Sequence, residues 1–247
     1  MLITKVAVRF INMLIEVFAS KRFNLIHVVE YPKCGGTWVS RLIATYLQRN
    51  RALGSTMIVR SKSVLQKHVM YRSYYDRVIV VLRDPRDVFV SFYYHEIYHK
   101  KDAVLMKNMG YNSRLTDHEN FKNYLVYKIN HPSETSPGFS YSDFYNSWSR
   151  RNNVHIVHYE QLHNSPAKIL AGIIRFLNSD VDPRRIKQAI GRHSFKNITG
   201  REEGEEDRYS HKRKGIIGDW KNYFTEDMCK FLEEKEYELF KQTTYSD

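Results

Sequence analysis

Two cysteines in 247 residues, Cys34 and Cys229, are too few for a disulfide framework. That scarcity points to a reducing, cytoplasmic compartment. Six prolines and eleven glycines exclude a collagenous or low-complexity chain, so individual glycines become candidates for a local requirement. An uncharged apolar run of 18 residues is also missing. The most apolar stretch, Met1 to Ala19, carries Lys5, Arg9 and Glu16, and no small-residue cleavage site follows it, which argues against a spanning helix and a signal peptide. Its Val6, Phe10, Met13, Leu14 and Val17 share one face of a helix instead. A packed amphipathic helix is the plain expectation; peripheral contact of residues 1–19 with a membrane surface is the sharper one. Acidic residues are in short supply too: 27 Asp and Glu against 39 Lys and Arg leave a net charge of +12. Such a balance selects anionic partners, whether a polyphosphorylated nucleotide, nucleic acid or acidic membrane, without choosing among them.

What is present suffices for one sizeable α/β domain over residues 1–247, with 1–24 as an amphipathic helix and lead-in. Its most informative stretch is YPKCGGTW, Tyr31 to Trp38. Before it, residues 27–31 (HVVEY) are short and β-branched; after it, Trp38, Val39, Leu42, Ile43, Tyr46 and Leu47 follow helical spacing. Strand, tight loop and helix is the order. Gly35 and Gly36 let a backbone approach a ligand without Cβ clashes, and free N–H groups at a helix start favour an anion. Lys33 adds a mobile positive charge and Thr37 a hydroxyl. One phosphate or sulfate group fits this chemistry.

Two enzymatic alternatives fail on register. A Walker A loop places its Lys after the last glycine, whereas Lys33 precedes both. A cysteine phosphatase needs Arg six positions after its nucleophile, and six after Cys34 is Ser40, with the arginine one further on at Arg41. A plain strand-to-helix turn remains open for two glycines taken alone.

Further along, a strand is expected over 56–60, followed by a segment holding His68. Val78 to Leu82 is a continuous apolar run, as in a strand buried on both faces. Arg83 stands at its carboxyl end, where ligands bind in open α/β sheets; Asp84 and Pro85 read as helix cap and first helical position. The run His95-Glu96-Ile97-Tyr98-His99 is literally H-E-x-x-H, a zinc-peptidase pattern, but no third-ligand signature follows it in sequence and no metal is expected. Residues 119–129 and 140–150 read as helices, and 154–159 as the last main strand. His155 and His158 would face opposite sides of that strand, against a shared metal. Ser165-Pro166 and Asp182-Pro183 start two scaffold helices. Residues 200–210 are acidic, glycine-bearing and expected to be mobile, and they run into RKGIIGDWK, residues 213–221.

Three of these motifs resemble, in order, those of the cytosolic-type sulfotransferases. YPKCGGTW is similar to the 5′-phosphosulfate loop YPKSGTTW, with Cys34 for Ser and Gly36 for the first Thr; the Arg83 to Ser91 spacing is kept; RKGIIGDWK is similar to R-K-G-x-x-G-D-W-K. The likeness spans about Val28 to Phe224. It implies a single α/β domain, a central parallel sheet flanked by helices with a P-loop-like phosphosulfate-binding loop, and transfer of a sulfuryl group from 3′-phosphoadenosine 5′-phosphosulfate (PAPS) to a hydroxyl or amine, leaving PAP, without a metal. By the same resemblance Lys33, Cys34, Gly35, Gly36 and Thr37 hold the phosphosulfate end, with Lys33 also stabilising the reaction. His68 is the general base, although Gln66 stands where a K-x-H element has Lys. Trp38 and Phe195 sandwich the adenine beside Tyr159. Arg83, Ser91, Arg213, Lys214 and Gly215 take the 3′-phosphate. Cys34 brings a weaker hydrogen-bond donor than Ser and an expectation of redox sensitivity. Residues 98–138 would shape the acceptor pocket for a small molecule, glycan or lipid. A following dimer element keeps Lys221 and Thr225 but departs at Glu226 and Lys230, so the oligomeric state stays open. The alternative outside enzymes is a basic module that binds a nucleotide, nucleic acid or anionic lipid on a retained nucleotide fold.

Overall fold

A computed structural model describes residues 2–53 and 59–242. Most of the strand expected over 56–60 lies outside the described residues. The chain groups into two compact units, Met1–Leu82 with Trp148–Ile198, and Arg83–Ser147 with Thr199–Asp247.

The first unit is built on five parallel strands: β1 (Ile26–Glu30), β2 (Asn50–Leu53), β3 (Ser63–Lys67), β4 (Val78–Leu82) and β5 (Val154–His158), in the order β2-β3-β1-β4-β5. Both β1 and β4 are buried along their whole length; β4 reads as an unbroken apolar run for that reason, while β1 buries His27 and Glu30 among its β-branched residues. With β3 opposite Ile26–Val29 and β4 opposite His27–Glu30, the central β1 ends on the same sheet edge as β4. Around the sheet lie α1 (Leu2–Ala19), α2 (Gly36–Tyr46), α7 (Tyr159–Asn164), α8 (Pro166–Phe176), α9 (Pro183–Arg192) and the start of α10 (Phe195–Thr199). Val39, Leu42, Ile43 and Tyr46 of α2 are buried, as their spacing requires. The helix α1 forms but is turned the other way from the plain expectation. Val6, Phe10, Met13 and Leu14 are exposed and Phe18 is 82% exposed, while Asn12 and Glu16 are buried. The cause is polar: Glu16 Oε1 accepts from Lys67 Nζ at 2.5 Å, Glu16 Oε2 lies 3.7 Å from His27 Nε2, and Asn12 Oδ1 accepts from the Val59 N–H at 2.8 Å. No helix among the described residues is long and apolar enough to cross a membrane.

The second unit is mainly helical: α3 (Pro85–Tyr94), which continues as a π-helical turn over His95–His99, then α4 (Ala103–Asn108), α5 (Asp117–Asn130), α6 (Tyr141–Ser149), a 3₁₀ turn over Asp219–Asn222, α11 (Glu226–Lys235) and α12 (Tyr237–Gln242). Asp84 caps α3 by accepting from the Arg86 N–H, with Pro85 at the first position. Its core is aromatic, with Phe121 edge-on to Tyr93 at 5.5 Å and to Phe224 at 5.3 Å. Glu96, expected on the H-E-x-x-H face, is buried instead. It accepts from Lys128 Nζ at 2.8 Å and from the Tyr124 hydroxyl at 2.7 Å. Burial lowers the Lys128 ammonium to about 8 against the pull of Glu96. Residues 200–210, expected to be mobile, are stitched down by Arg201, whose guanidinium donates to the carbonyls of Glu205, Lys212 and Arg213.

Candidate functional site

In the first unit the loop after β1 is a backbone structure in close quarters. Lys33 adopts φ +77° and Gly35 φ +100°, both left-handed, and α2 starts at Gly36. A left-handed lysine costs energy that the loop must hold against. A Cβ on Gly35 would stand 2.6 Å from the Tyr159 ring, and one on Gly36 2.6 Å from the Glu30 carboxylate. Neither position has room for a side chain. The Cys34 N–H closes a turn onto the Tyr31 carbonyl at 3.2 Å and its side chain is buried.

Two residues to which the motif reading gave no role support this loop. Glu30, the last residue of β1, accepts from the Gly36 N–H at 2.6 Å and from Gln66 Nε2 at 2.6 Å. Gln66 Nε2 also lies 2.9 Å from the Thr37 hydroxyl oxygen, and its Oε1 accepts from Arg51 Nη2. The position where the K-x-H element has Lys is therefore a polar hub joining β1, β2, β3 and α2. Arg51, on β2, also donates to the Ser40 hydroxyl at 2.8 Å. Only the charge pattern of residues far apart in sequence encodes this hub.

His68 is exposed just beyond β3, with Nδ1 3.2 Å from the Glu30 carbonyl oxygen. When Nδ1–H donates there, the outer nitrogen carries the lone pair, the tautomer a base needs. Trp38 lies edge-on to Tyr159 at 5.9 Å. Phe195 opens α10, half-buried, with α9 anchored next to it by His193 Nε2 at 2.7 Å from the Thr45 hydroxyl.

The second unit carries the remaining candidates. Arg83 Nη2 donates to Asp87 Oδ2 at 3.2 Å and to the Ile216 carbonyl at 2.9 Å, and the Tyr141 hydroxyl brackets the Arg83 backbone, accepting from its N–H and donating to its carbonyl, each at 2.9 Å. Asp87 also accepts from the Gly218 N–H at 2.8 Å and the Trp220 N–H at 3.0 Å. Asp87 thus brings Arg83 to the R-K-G segment. Ser91 lies two turns along α3, half-buried. Arg213 donates to Asp219 and to Glu206, with its guanidinium 4.5 Å from the Tyr94 ring; Lys214 Nζ donates to Asp219 Oδ1 at 2.9 Å. Burial works against the charge of Asp219, but Lys214 and Arg213 hold its carboxyl below the usual value. Gly215 sits at φ +71° between these cations and Arg83's partner Ile216.

One convergence adds a third histidine, distant in sequence, to the H-E-x-x-H run. His95 and His99 of the π-helical turn meet His211 from the 200–218 segment, with one ring nitrogen of each within 4.8 Å of the others.

Comparison with known proteins gives a consistent answer. A profile described as "Sulfotransferase domain" matches residues 46–244, a range that includes His68, Arg83, Ser91, Tyr159, Phe195 and Arg213–Gly215 but begins after the glycine loop. The chain is 24% identical to 3-beta-hydroxysteroid sulfotransferase of Cavia porcellus, over 84% of this chain and 82% of that protein. It is 22% identical to human sulfotransferase 2A1, over 86% and 84%. Among solved structures, mouse sulfotransferase SULT7A1 complexed with PAP superposes with a TM-score of 0.70 at 21% identity, covering 94% of this chain and 89% of that one. Retinol dehydratase in complex with androsterone and inactive cofactor PAP gives 0.66 at 18% identity, covering 90% and 82%.

Proposed function

Because the chain belongs to the sulfotransferase-domain family, we propose that Lys33 to Trp38 hold the phosphosulfate end of PAPS while His68 takes the acceptor's proton. The enzyme transfers a sulfuryl group from PAPS to an acceptor and releases PAP. In the step proposed for a hydroxyl acceptor, its oxygen attacks sulfur, the bond from sulfur to the 5′-phosphate oxygen breaks, and His68 receives the hydroxyl proton. PAP leaves with the electron pair of the broken bond, and Lys33 neutralises charge growing on that oxygen. Arg83, Ser91, Arg213, Lys214 and Gly215 would take the 3′-phosphate through charge-assisted hydrogen bonds, with Asp219 and Glu206 holding the two cations ready. Trp38, Phe195 and Tyr159 would hold the adenine. Residues 1–247 act in this reading as one functional domain.

The observation that carries the reading is the glycine loop, where two positions exclude any side chain and two left-handed residues, Lys33 and Gly35, lead into a helix N-terminus. The acceptor is a small molecule, in keeping with relatives named for hydroxysteroids and a structure holding androsterone. The test is transfer of labelled sulfate from PAPS across an acceptor panel of steroids, phenols and glycans. Lys33→Ala and His68→Ala are expected to lower kcat by about 10²-fold or more. Unchanged turnover in either variant would refute the role given to that residue.

A second reading concerns α1, whose exposed Val6, Phe10, Met13, Leu14 and Phe18 sit among exposed Arg9, Lys21 and Arg22. Buried Asn12 and Glu16 fix which face points outward. Apolar side chains with basic flanks suit an anionic lipid surface, so we propose a cytoplasmic enzyme that docks peripherally. The full chain is expected to co-sediment with phosphatidylserine vesicles and the Phe10→Ser/Phe18→Ser variant to stay in solution; equal partition of both would end the idea.

A further inference from the structure

We propose that His95, His99 and His211 form a zinc site that straps the 200–218 segment to the end of α3. All three residues belong to the second unit, and the site does not rest on the sulfuryl-transfer reading. The His95 and His99 rings stack with centroids 5.1 Å apart, and His211 stands 5.0 Å from the first and 6.1 Å from the second. His95 and His99, four positions apart, share one side of the π-helical turn, and π turns of this kind recur at functional sites.

The donor set suits the ion. Neutral imidazole is a favoured ligand of zinc, and three imidazoles leave one position for water or another ligand. At zinc–nitrogen distances of about 2.0–2.1 Å, tetrahedral ligands lie about 3.3 Å apart. The three nitrogens already lie within 4.8 Å of one another, and His99 and His211 are exposed, so side-chain rotation alone closes the gap. His99 also has the outer support that metal-bound histidines use: its Nδ1 lies 2.7 Å from the Tyr209 carbonyl oxygen. Donation from Nδ1–H to that oxygen leaves Nε2 as the lone-pair nitrogen.

The same geometry excludes peptidase chemistry from this H-E-x-x-H run. A zinc peptidase needs the Glu next to the metal-bound water, yet both oxygens of Glu96 are taken by Lys128 and one also by Tyr124, and the residue is 2% exposed. A bound ion would act as a fastener. Tyr209, Arg208 and Arg213 already tie this segment down, through His99, through Asp117 and over the Tyr94 ring. Zinc would add a bond at His211, two residues before Arg213.

The test uses Zn²⁺, with Co²⁺ as its spectroscopic substitute, on the full chain. One equivalent of Co²⁺ should give the visible absorption of a tetrahedral ion and be displaced by Zn²⁺. His99→Ala and His211→Ala, both at exposed positions, should each weaken binding by at least about tenfold, while His118→Ala, an exposed histidine elsewhere, should not. Amide exchange over residues 208–213 should slow with Zn²⁺ in the native chain and not in His211→Ala. Absence of the tetrahedral absorption, or native affinity in His99→Ala or His211→Ala, would overturn the site. Unchanged exchange with the metal bound would overturn the strap. None of these readouts involves nucleotide, so failure of the transfer reaction leaves them untouched.

Discussion

At the scale of single residues, the glycine loop offers the sharpest prediction. The carboxylate that a Cβ on Gly36 would strike is held by Gln66 and by the Gly36 N–H itself, so it cannot swing aside cheaply. Gly36→Ala is expected to cost about 1–3 kcal/mol of stability and to weaken binding of adenosine 3′,5′-bisphosphate, measured by denaturant unfolding and titration calorimetry. A variant as stable as the native chain would mean that Glu30 is not fixed where it is. Asp87 is the counterpart in the second unit. Its buried carboxylate gathers Arg83, the Gly218 N–H and the Trp220 N–H, and Asp87→Asn puts an amide donor among donors. That change is expected to cost roughly 3–5 kcal/mol by denaturant unfolding. A loss below 1 kcal/mol would show that the R-K-G segment does not depend on it.

At the scale of elements, α1 separates pattern from orientation. Phe18 is exposed, so Phe18→Glu should change stability by less than about 0.5 kcal/mol. Glu16→Leu makes the helix more apolar, yet it removes the partner of Lys67 and of His27 and is expected to cost roughly 3–5 kcal/mol. The opposite ranking in thermal unfolding would restore the packed amphipathic helix. This element also marks where sequence legibility stops. A helix over 2–19 follows from local spacing, but its buried side is set by Lys67, 51 positions from Glu16. The strand at 78–82 is readable because a strand covered on both faces is apolar throughout, and those at 26–30 and 154–158 because they are short and rich in β-branched residues. Fixed spacing made the Arg83 to Ser91 and R-K-G motifs readable for the same local reason. The Glu30–Gln66–Arg51 hub, the meeting of His211 with His95 and His99, and the Arg201 stitches join residues far apart or of unremarkable type. No window of a few residues contains them.

At the scale of the whole molecule, one buried histidine and two half-buried ones set a pH dependence. Burial holds His27 below its usual value of 6.5, against the opposing carboxylate of Glu16, and burial alone lowers His155 and His158. The unfolded chain therefore binds more protons than the folded one once the pH falls below about 6.5, and stability must decline on acidification in that range. The Tm is expected to fall between pH 7 and 5.5, and less steeply in His155→Phe, which keeps a ring against Phe176. A flat profile would contradict the burial of these rings.

Recognition of a 3′-phosphorylated adenine nucleotide is measured by thermal stabilisation with adenosine 3′,5′-bisphosphate against ADP at matched concentration. A ligand bound only by the folded state adds about 2.7 kcal/mol at 100 times its dissociation constant, which resolves the two nucleotides clearly. The bisphosphate is expected to raise Tm, ADP to do so far less, and Arg83→Ala and Arg213→Ala to erase the difference. Equal stabilisation by both nucleotides, or none by either, would contradict the assignment of Arg83, Ser91, Arg213 and Lys214 to the 3′-phosphate.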